Sequence, residues 1–390
     1  MRFDIHKLDA QYHSFKVKNL ENRYLPFSVL QSVIDDFHQK GEYHFEVLGY
    51  SSLGQPIYKT TFGTGEKHLL IWSQMHGNES TGTRAMFDVL SFLALDSEIS
   101  NQIKKELTIT FIPMLNPDGA NAYTRVNALG IDMNRDLLAL SSVEINLLVS
   151  ELKSKPYKVL FNLHDQRNIF NVGNTNKPAT LSFLAPSQEV TREVTASRKN
   201  TMGIISLINQ DLQQLIPGRI GRYTDEFYPT ATGDNFQKWG YLSVLFEAGF
   251  SSVEDPDRNQ TRKYNALAIL SGMEHFSALS RWDDHFKGYF EIPENGQIFT
   301  DVIIRDVNLK NHPNTKVDIG IQFTDEMHQE GLQKIAKITE IGDLRFKFGH
   351  TEYRAEGEFF ASNDCMFPRL NQVATFTLGE KFNFVNGELL

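Results

Sequence analysis

His76 and Glu79 stand three residues apart in HLLIWSQMHGNESTGTRAMFDVL, where an apolar run breaks and a helical pattern begins. An imidazole and a carboxylate can hold a divalent cation or move a proton at neutral pH. At the end of a buried strand they emerge at the rim of a sheet, either to bind something or simply to be solvated. Two further apolar runs end in the same way: KVLFNL leads to His164 and YLSVLF leads to Glu247. Ligands of open α/β sheets bind outside the carboxyl ends of the strands. Three separate segments would therefore deliver these side chains to one rim. A catalytic zinc takes three nitrogen or oxygen ligands and keeps one position open. His76, Glu79 and His164 would make such a set. Glu247 would then be the carboxylate that takes a proton from water and passes it to a leaving group. Taken alone, H-x-x-E more often marks a solvated rim, so the weight lies in the coincidence of the three strand ends.

The elements that must position these residues follow from hydrophobic periodicity. PFSVLQSVIDDFHQ places Val29, Leu30, Val33, Ile34 and Phe37 at helical spacing, and residues 1–45 read as a mostly helical extension. From 46 to 280, continuous apolar strands alternate with helices near 80–94, 199–215 and 261–280, and Ser141 with Glu144 fits a capping box opening a helix through Leu152. Such strands imply an α/β domain whose central sheet is covered by helices on both faces. From 285 to 390, GQIFTDVIIRDV, KVDIGIQF, EIGDLRFKFG and QVATFTLGEKFNFVNG are strand-like and separated by Gly, Asn and Asp. This stretch reads as an appended, smaller β-rich domain with one helix near 324–336.

Composition narrows the function classes. The 390 residues are 41% hydrophobic and 22% charged, with a formal net charge of −9 and no Lys/Arg-rich run. That balance disfavours nucleic acid or an anionic membrane as partner. No stretch approaches the ~20 apolar residues of a membrane span. The N-terminal MRFDIHKLDAQYHSFKVKNL lacks the apolar core of a signal peptide. A single cysteine, Cys365, excludes an intrachain disulfide, and in SNDCMFPRL it reads as a packing residue. A cytoplasmic location is the expectation.

Between the second and third candidate ligands lies NPDGANAYTRVNALGIDMNRD, residues 116–136, a turn-rich loop with two arginines. Here the chain resembles the zinc carboxypeptidases of the M14 type, and its compact spacing is similar to that of bacterial members. The family order is H-x-x-E, N-P-D-G, an Arg, D-x-N-R, a later His and a Glu on the last core strand. Residues 50–280 offer these in sequence. The resemblance implies one zinc per chain on His76, Glu79 and His164, with Glu247 as general base and acid. It implies that Arg125 polarises the scissile carbonyl, that Asn134 and Arg135 grip the terminal carboxylate, and that Asp132 orients His76. Tyr228 stands near the family's substrate-covering tyrosine, with Tyr223 as competitor. Asn78 departs from the digestive members, which carry an arginine there. Arg167 either faces the pocket or pairs with Asp165 at the surface, the surface pair being favoured, and Gly233–Asp234 does not reveal a side-chain preference. The resemblance thus implies a metallocarboxypeptidase that hydrolyses the C-terminal peptide bond of peptides through a zinc-activated water. The rival readings are an N-acyl amino acid deacylase similar to aspartoacylase and succinylglutamate desuccinylase, a peptide amidase, and a non-catalytic binding module. The N-P-D-G stretch favours the peptidase, and the retained Glu247 disfavours the binding module.

Overall fold

The computed structural model describes residues 4–363 and 365–390. They form two compact units. The first comprises the residues up to Gln166, Ala179–Ser251 and Asp255–Asn295; the second comprises Arg167–Pro178, Ser252–Glu254 and Gly296–Leu390.

The first unit is built on an eight-stranded mixed sheet. Its strands are β1 (Phe45–Tyr50), β2 (Pro56–Phe62), β3 (Lys67–Ser73), β4 (Leu107–Ile112) and β5 (Tyr157–Asp165). After β6 (Phe170–Val172), which belongs to the second unit, come β7 (Leu181–Leu184), β8 (Ile220–Arg222) and β9 (Leu242–Ala248). The spatial order is β1-β2-β4-β3-β5-β9-β7-β8. Strands β4, β3, β5 and β9 run parallel, so their carboxyl ends share one rim. Neighbouring residues of β3 face opposite cores. Leu69 and Ile71 join one apolar cluster, while Leu70 and Trp72 join the other. That is why the run HLLIW carries no alternation: both faces of the strand are covered.

Nine helices dress this unit among the described residues: α1 (Ile5–Phe15), α2 (Phe27–Gln39), α3 (Thr81–Ala94), α4 (Glu98–Glu106), α5 (Pro117–Ala122), α6 (Val143–Ser154), α7 (Ala196–Leu212), α8 (Thr232–Lys238) and α9 (Asn259–Ala278). α1 and α2 put Leu8, Phe15, Leu30, Val33 and Phe37 into the larger core. A buried polar clasp fixes them further. The Tyr12 hydroxyl donates to Asp88 of α3 at 2.6 Å, and Arg262 of α9 donates to the same carboxylate at 2.6 Å. The start of α6 differs from the capping-box expectation. Ser142 is the N-cap, and Glu144 turns away to accept from Ser52 and Asn127.

After β10 (Asn295–Gln297), which pairs with β6, the second unit holds two four-stranded sheets. One is ordered β13-β12-β11-β14, from β11 (Phe299–Leu309), β12 (His312–His328), β13 (Gly331–Gly342) and β14 (Phe348–Arg354). The other contains β15 (Phe360–Ala361), β16 (Phe376–Leu378), β17 (Phe382–Val385) and β18 (Glu388–Leu389). They enclose a small core around Ile304, Ile319, Ile321, Ile338, Phe360, Phe376 and Phe384. The helix expected near 324–336 is absent: these residues lie in the antiparallel pair of β12 and β13, joined by a turn with Gly331 at φ +113. Among the described residues no helix is long and apolar enough to cross a membrane.

Candidate active site

A sharp turn aims the first two candidate ligands. Gln74, just past β3, has φ +45, and its side chain donates to Gly77 O at 2.9 Å while accepting from Thr83. Gly77 lies against the backbone of Gly119; a Cβ there would sit 2.0 Å from the Gly119 carbonyl carbon. This contact explains the N-P-D-G stretch. Asn116 caps α5 by accepting from Gly119 N and reaches Val126 O and Met75 O with its amide. Pro117 occupies the first turn, and Asp118 accepts from Ser51 and Leu53 N. The loop is thereby knitted to the H-x-x-E turn.

His76, Glu79 and His164 converge. His76 Nδ1 and His164 Nδ1 are 3.1 Å apart, and each touches the Glu79 carboxylate, at 2.9 and 2.8 Å. Metal–ligand bonds of 2.0–2.1 Å in tetrahedral geometry space the ligand atoms by roughly 3.3 Å. Two imidazole lone pairs and a carboxylate aimed at one point therefore fit a small divalent ion. The outer nitrogen of His76 meets Asp132 Oδ1 at 3.1 Å, a partner that fixes ring orientation and tautomer. His164 Nε2 is buried without such a partner.

Electrostatics follow from burial and crowding. Burial works against the Glu79 carboxylate, but the two imidazoles hold it well below the ordinary range. Asp132 is likewise held low by His76 and Arg125 against the opposing effect of burial. Glu247 moves the other way. Burial, with Glu79 and Asp165 nearby, pushes it well above the ordinary carboxylate range. Glu247 lies level with His164 across the parallel pair of β5 and β9, and its Oε2 is buried without a hydrogen-bond partner. A buried carboxyl beside a metal-ready cluster, with one oxygen unbonded, is placed to carry a proton.

The remaining predicted residues fall into two groups. Arg125, 44% exposed, is anchored by Nε on Asp132 Oδ2 at 2.9 Å, and its Nη1 reaches His76 Nδ1 at 3.2 Å and Glu79 at 3.3 Å. Because one lone pair on His76 Nδ1 cannot serve both an N–H and a cation, Nη1 competes with a metal while Nε does not. Asn134 and Arg135 lie on the 3-10 turn Met133–Arg135. The Asn134 amide oxygen accepts from Thr232 N at the start of α8, which leaves its NH₂ for another partner. Arg135 is exposed, and its guanidinium lies 4.2 Å from the ring centre of Tyr228, itself 51% exposed. Tyr223 sits on the strand side of that loop, its N–H bonded to Phe183 O. Asp165 is not at the surface. It is buried, accepts from Thr81 N and Oγ1, and faces Arg258. Arg258 and Thr81 were not singled out by sequence reasoning, since neither lies in a motif.

Residues 31–141 match the family model of the zinc carboxypeptidases. The match takes in His76, Glu79, Arg125, Asp132, Asn134 and Arg135, whereas His164 and Glu247 lie beyond it. Among curated proteins, the chain is 34% identical over 77 residues to carboxypeptidase 2 of Trichophyton rubrum, covering 19% of this chain and 14% of that protein. It is 27% identical over 132 residues to cytosolic carboxypeptidase 6 of Caenorhabditis elegans, covering 30% of this chain and 29% of that protein. The chain thus matches less than a third of the length of either relative. Among solved structures, a metallo-carboxypeptidase from Burkholderia cenocepacia superposes with a TM-score of 0.50 at 17% identity, over 63% of this chain and 67% of that one.

Proposed function

We propose that this protein is a zinc-dependent carboxypeptidase that releases the C-terminal residue of a peptide. The observation that carries the reading is the convergence of His76, Glu79 and His164 at one sheet rim, beside Glu247, whose buried Oε2 has no hydrogen-bond partner. One zinc would be held by those three side chains, and when bound it would polarise a carbonyl and acidify a water. The protein's own groups do the rest. Asn134 NH₂ and the planar guanidinium of Arg135 bind the free carboxylate of the substrate. Tyr228, stacked on Arg135, covers it. Arg125, pivoting on its Nε bond to Asp132, donates Nη1 to the scissile carbonyl oxygen and stabilises the charge that develops there. Glu247 takes a proton from the attacking water at Oε2 and delivers it to the leaving nitrogen. The lone Cys365 and the acidic net charge suit a cytoplasmic setting and a peptide, rather than nucleic acid, as partner.

The test is a digest of a mixed library of peptides and N-acyl amino acids, read by mass spectrometry, with zinc-loaded and chelator-stripped protein. The reading expects ladders that shorten by single C-terminal residues with the zinc-loaded protein only. Loss of acyl groups without laddering would instead make it a deacylase.

A further inference from the structure

Arg258 breaks two local rules. It caps the N-terminus of α9 at φ +56, a left-handed conformation that Arg rarely adopts. It also places a cation where the helix dipole favours an anion. It is only 4% exposed, and burial pulls its pKa down to about 10. Costs of this kind cluster where a site makes use of the geometry they produce.

Its contacts show what is gained. Nη1 donates to Ala248 O at 2.8 Å and Nη2 to Gln166 O at 2.9 Å. Ala248 follows Glu247 by one residue, and Gln166 follows His164 by two. A single planar group therefore bridges the carboxyl ends of β9 and β5, the parallel strands that present the proton carrier and the third ligand. Nη1 also lies 3.7 Å from Asp165 Oδ2. That carboxylate binds Thr81 N at 3.2 Å and Thr81 Oγ1 at 2.7 Å, at the start of α3 two residues past Glu79. The backbone N–H of Asp165 donates to Glu79 Oε2 at 3.2 Å. The frame runs from Arg258 through Asp165 to both sides of Glu79.

We propose that Arg258 is a positioning residue for this site. Its guanidinium fixes the spacing of His164 and Glu247 and, through Asp165, the orientation of Glu79. A lysine ammonium is a compact point charge and cannot span two carbonyls and a carboxylate as the guanidinium fork does. The activity arm of the following test rests on the carboxypeptidase reading; the metal arm does not.

The experiment compares wild type with Arg258→Gly, Arg258→Lys and Asp88→Asn. Zinc affinity is measured by competition with a chromogenic chelator, and kcat and KM on a peptide with a free C-terminus. Glycine accepts φ +56 without strain, so Arg258→Gly removes the guanidinium and spares the backbone. Both Arg258 variants should lose about 10–100-fold in zinc affinity and in kcat, with KM changed by less than about three-fold. Asp88→Asn breaks the other buried ion pair of α9 and serves as the control for general loosening. It should lower Tm yet leave zinc affinity and kcat within about two-fold. A folded Arg258→Gly with wild-type zinc affinity and kcat would overturn the proposal, as would equal losses in Asp88→Asn. If wild type releases no terminal residues, the functional reading falls, and the zinc comparison still decides the role of Arg258.

Discussion

The proposed metal ligand His164 and the proposed proton carrier Glu247 should fail in different ways when replaced. His164→Ala removes one of three converging donors, so elemental analysis of the purified variant should show little bound zinc. Retention of wild-type zinc would exclude His164 from the centre. Glu247→Gln keeps size and shape but removes the proton acceptor. That variant should keep its zinc and lose about 10²–10⁴-fold in turnover. These residues were legible in the sequence because their chemistry restricts residue type and because each follows an apolar run. Arg258, Thr81 and Gln74 were not. They act through backbone carbonyls, a buried carboxylate and a strained φ, none of which leaves a spacing pattern. Asp165 shows the same limit: next to Arg167 in sequence it suggests a surface pair, yet it is buried and faces Arg258 across the fold.

At the level of elements, the turn between β3 and α3 depends on close backbone contact. A methyl group at Gly77 would lie 2.0 Å from the Gly119 carbonyl carbon and 2.2 Å from Ala120 N. Backbone atoms cannot swing aside as a flexible side chain can. Gly77→Ala should therefore cost at least about 1–3 kcal/mol, the usual range for overpacking, seen as a lower urea midpoint. A wild-type midpoint would show that α5 moves freely against the turn. The strands and helices of the first unit were readable because both faces of its sheet are buried, so continuous apolar runs mark the strands. Residues 324–336 were misread for the opposite reason. In β12 and β13 the pairs Asp325↔Lys334 and Glu326↔Gln333 are charged or polar, and Leu332, Ile335 and Ala336 fall at helix-like spacing. Cross-strand pairing, set by the turn at Gly331, overrides that local pattern.

For the molecule as a whole, pH acts on stability through groups outside the cluster of His76, Glu79 and His164. Burial pushes the Asp234 carboxyl up to about 6, against the backbone N–H of Tyr228 and the charge of Arg135. Its folded pKa exceeds the unfolded value of ~3.9, so the folded state binds more protons between those values and stability falls as pH rises through them. Asp234→Asn should match wild type below about pH 4 and exceed it by up to about 3 kcal/mol above pH 6, measured by urea unfolding at each pH. Asp225 acts in the opposite sense. Burial raises it, but Arg198 and Arg192 hold it below the ordinary range. Its contribution is present above ~pH 4 and is lost as pH falls through the lowered folded pKa. The proposed function concerns the whole substrate and requires recognition of a free chain end. The direct measurement is the rate of terminal-residue release from one peptide prepared with a free and with an amidated C-terminus, by wild type and by Arg135→Ala. Wild type should strongly prefer the free acid. Arg135→Ala should lose roughly 2–5 kcal/mol of that preference, because the carboxylate then has no guanidinium partner. Equal cleavage of both peptides by wild type would contradict the account and point to an enzyme that ignores the chain end.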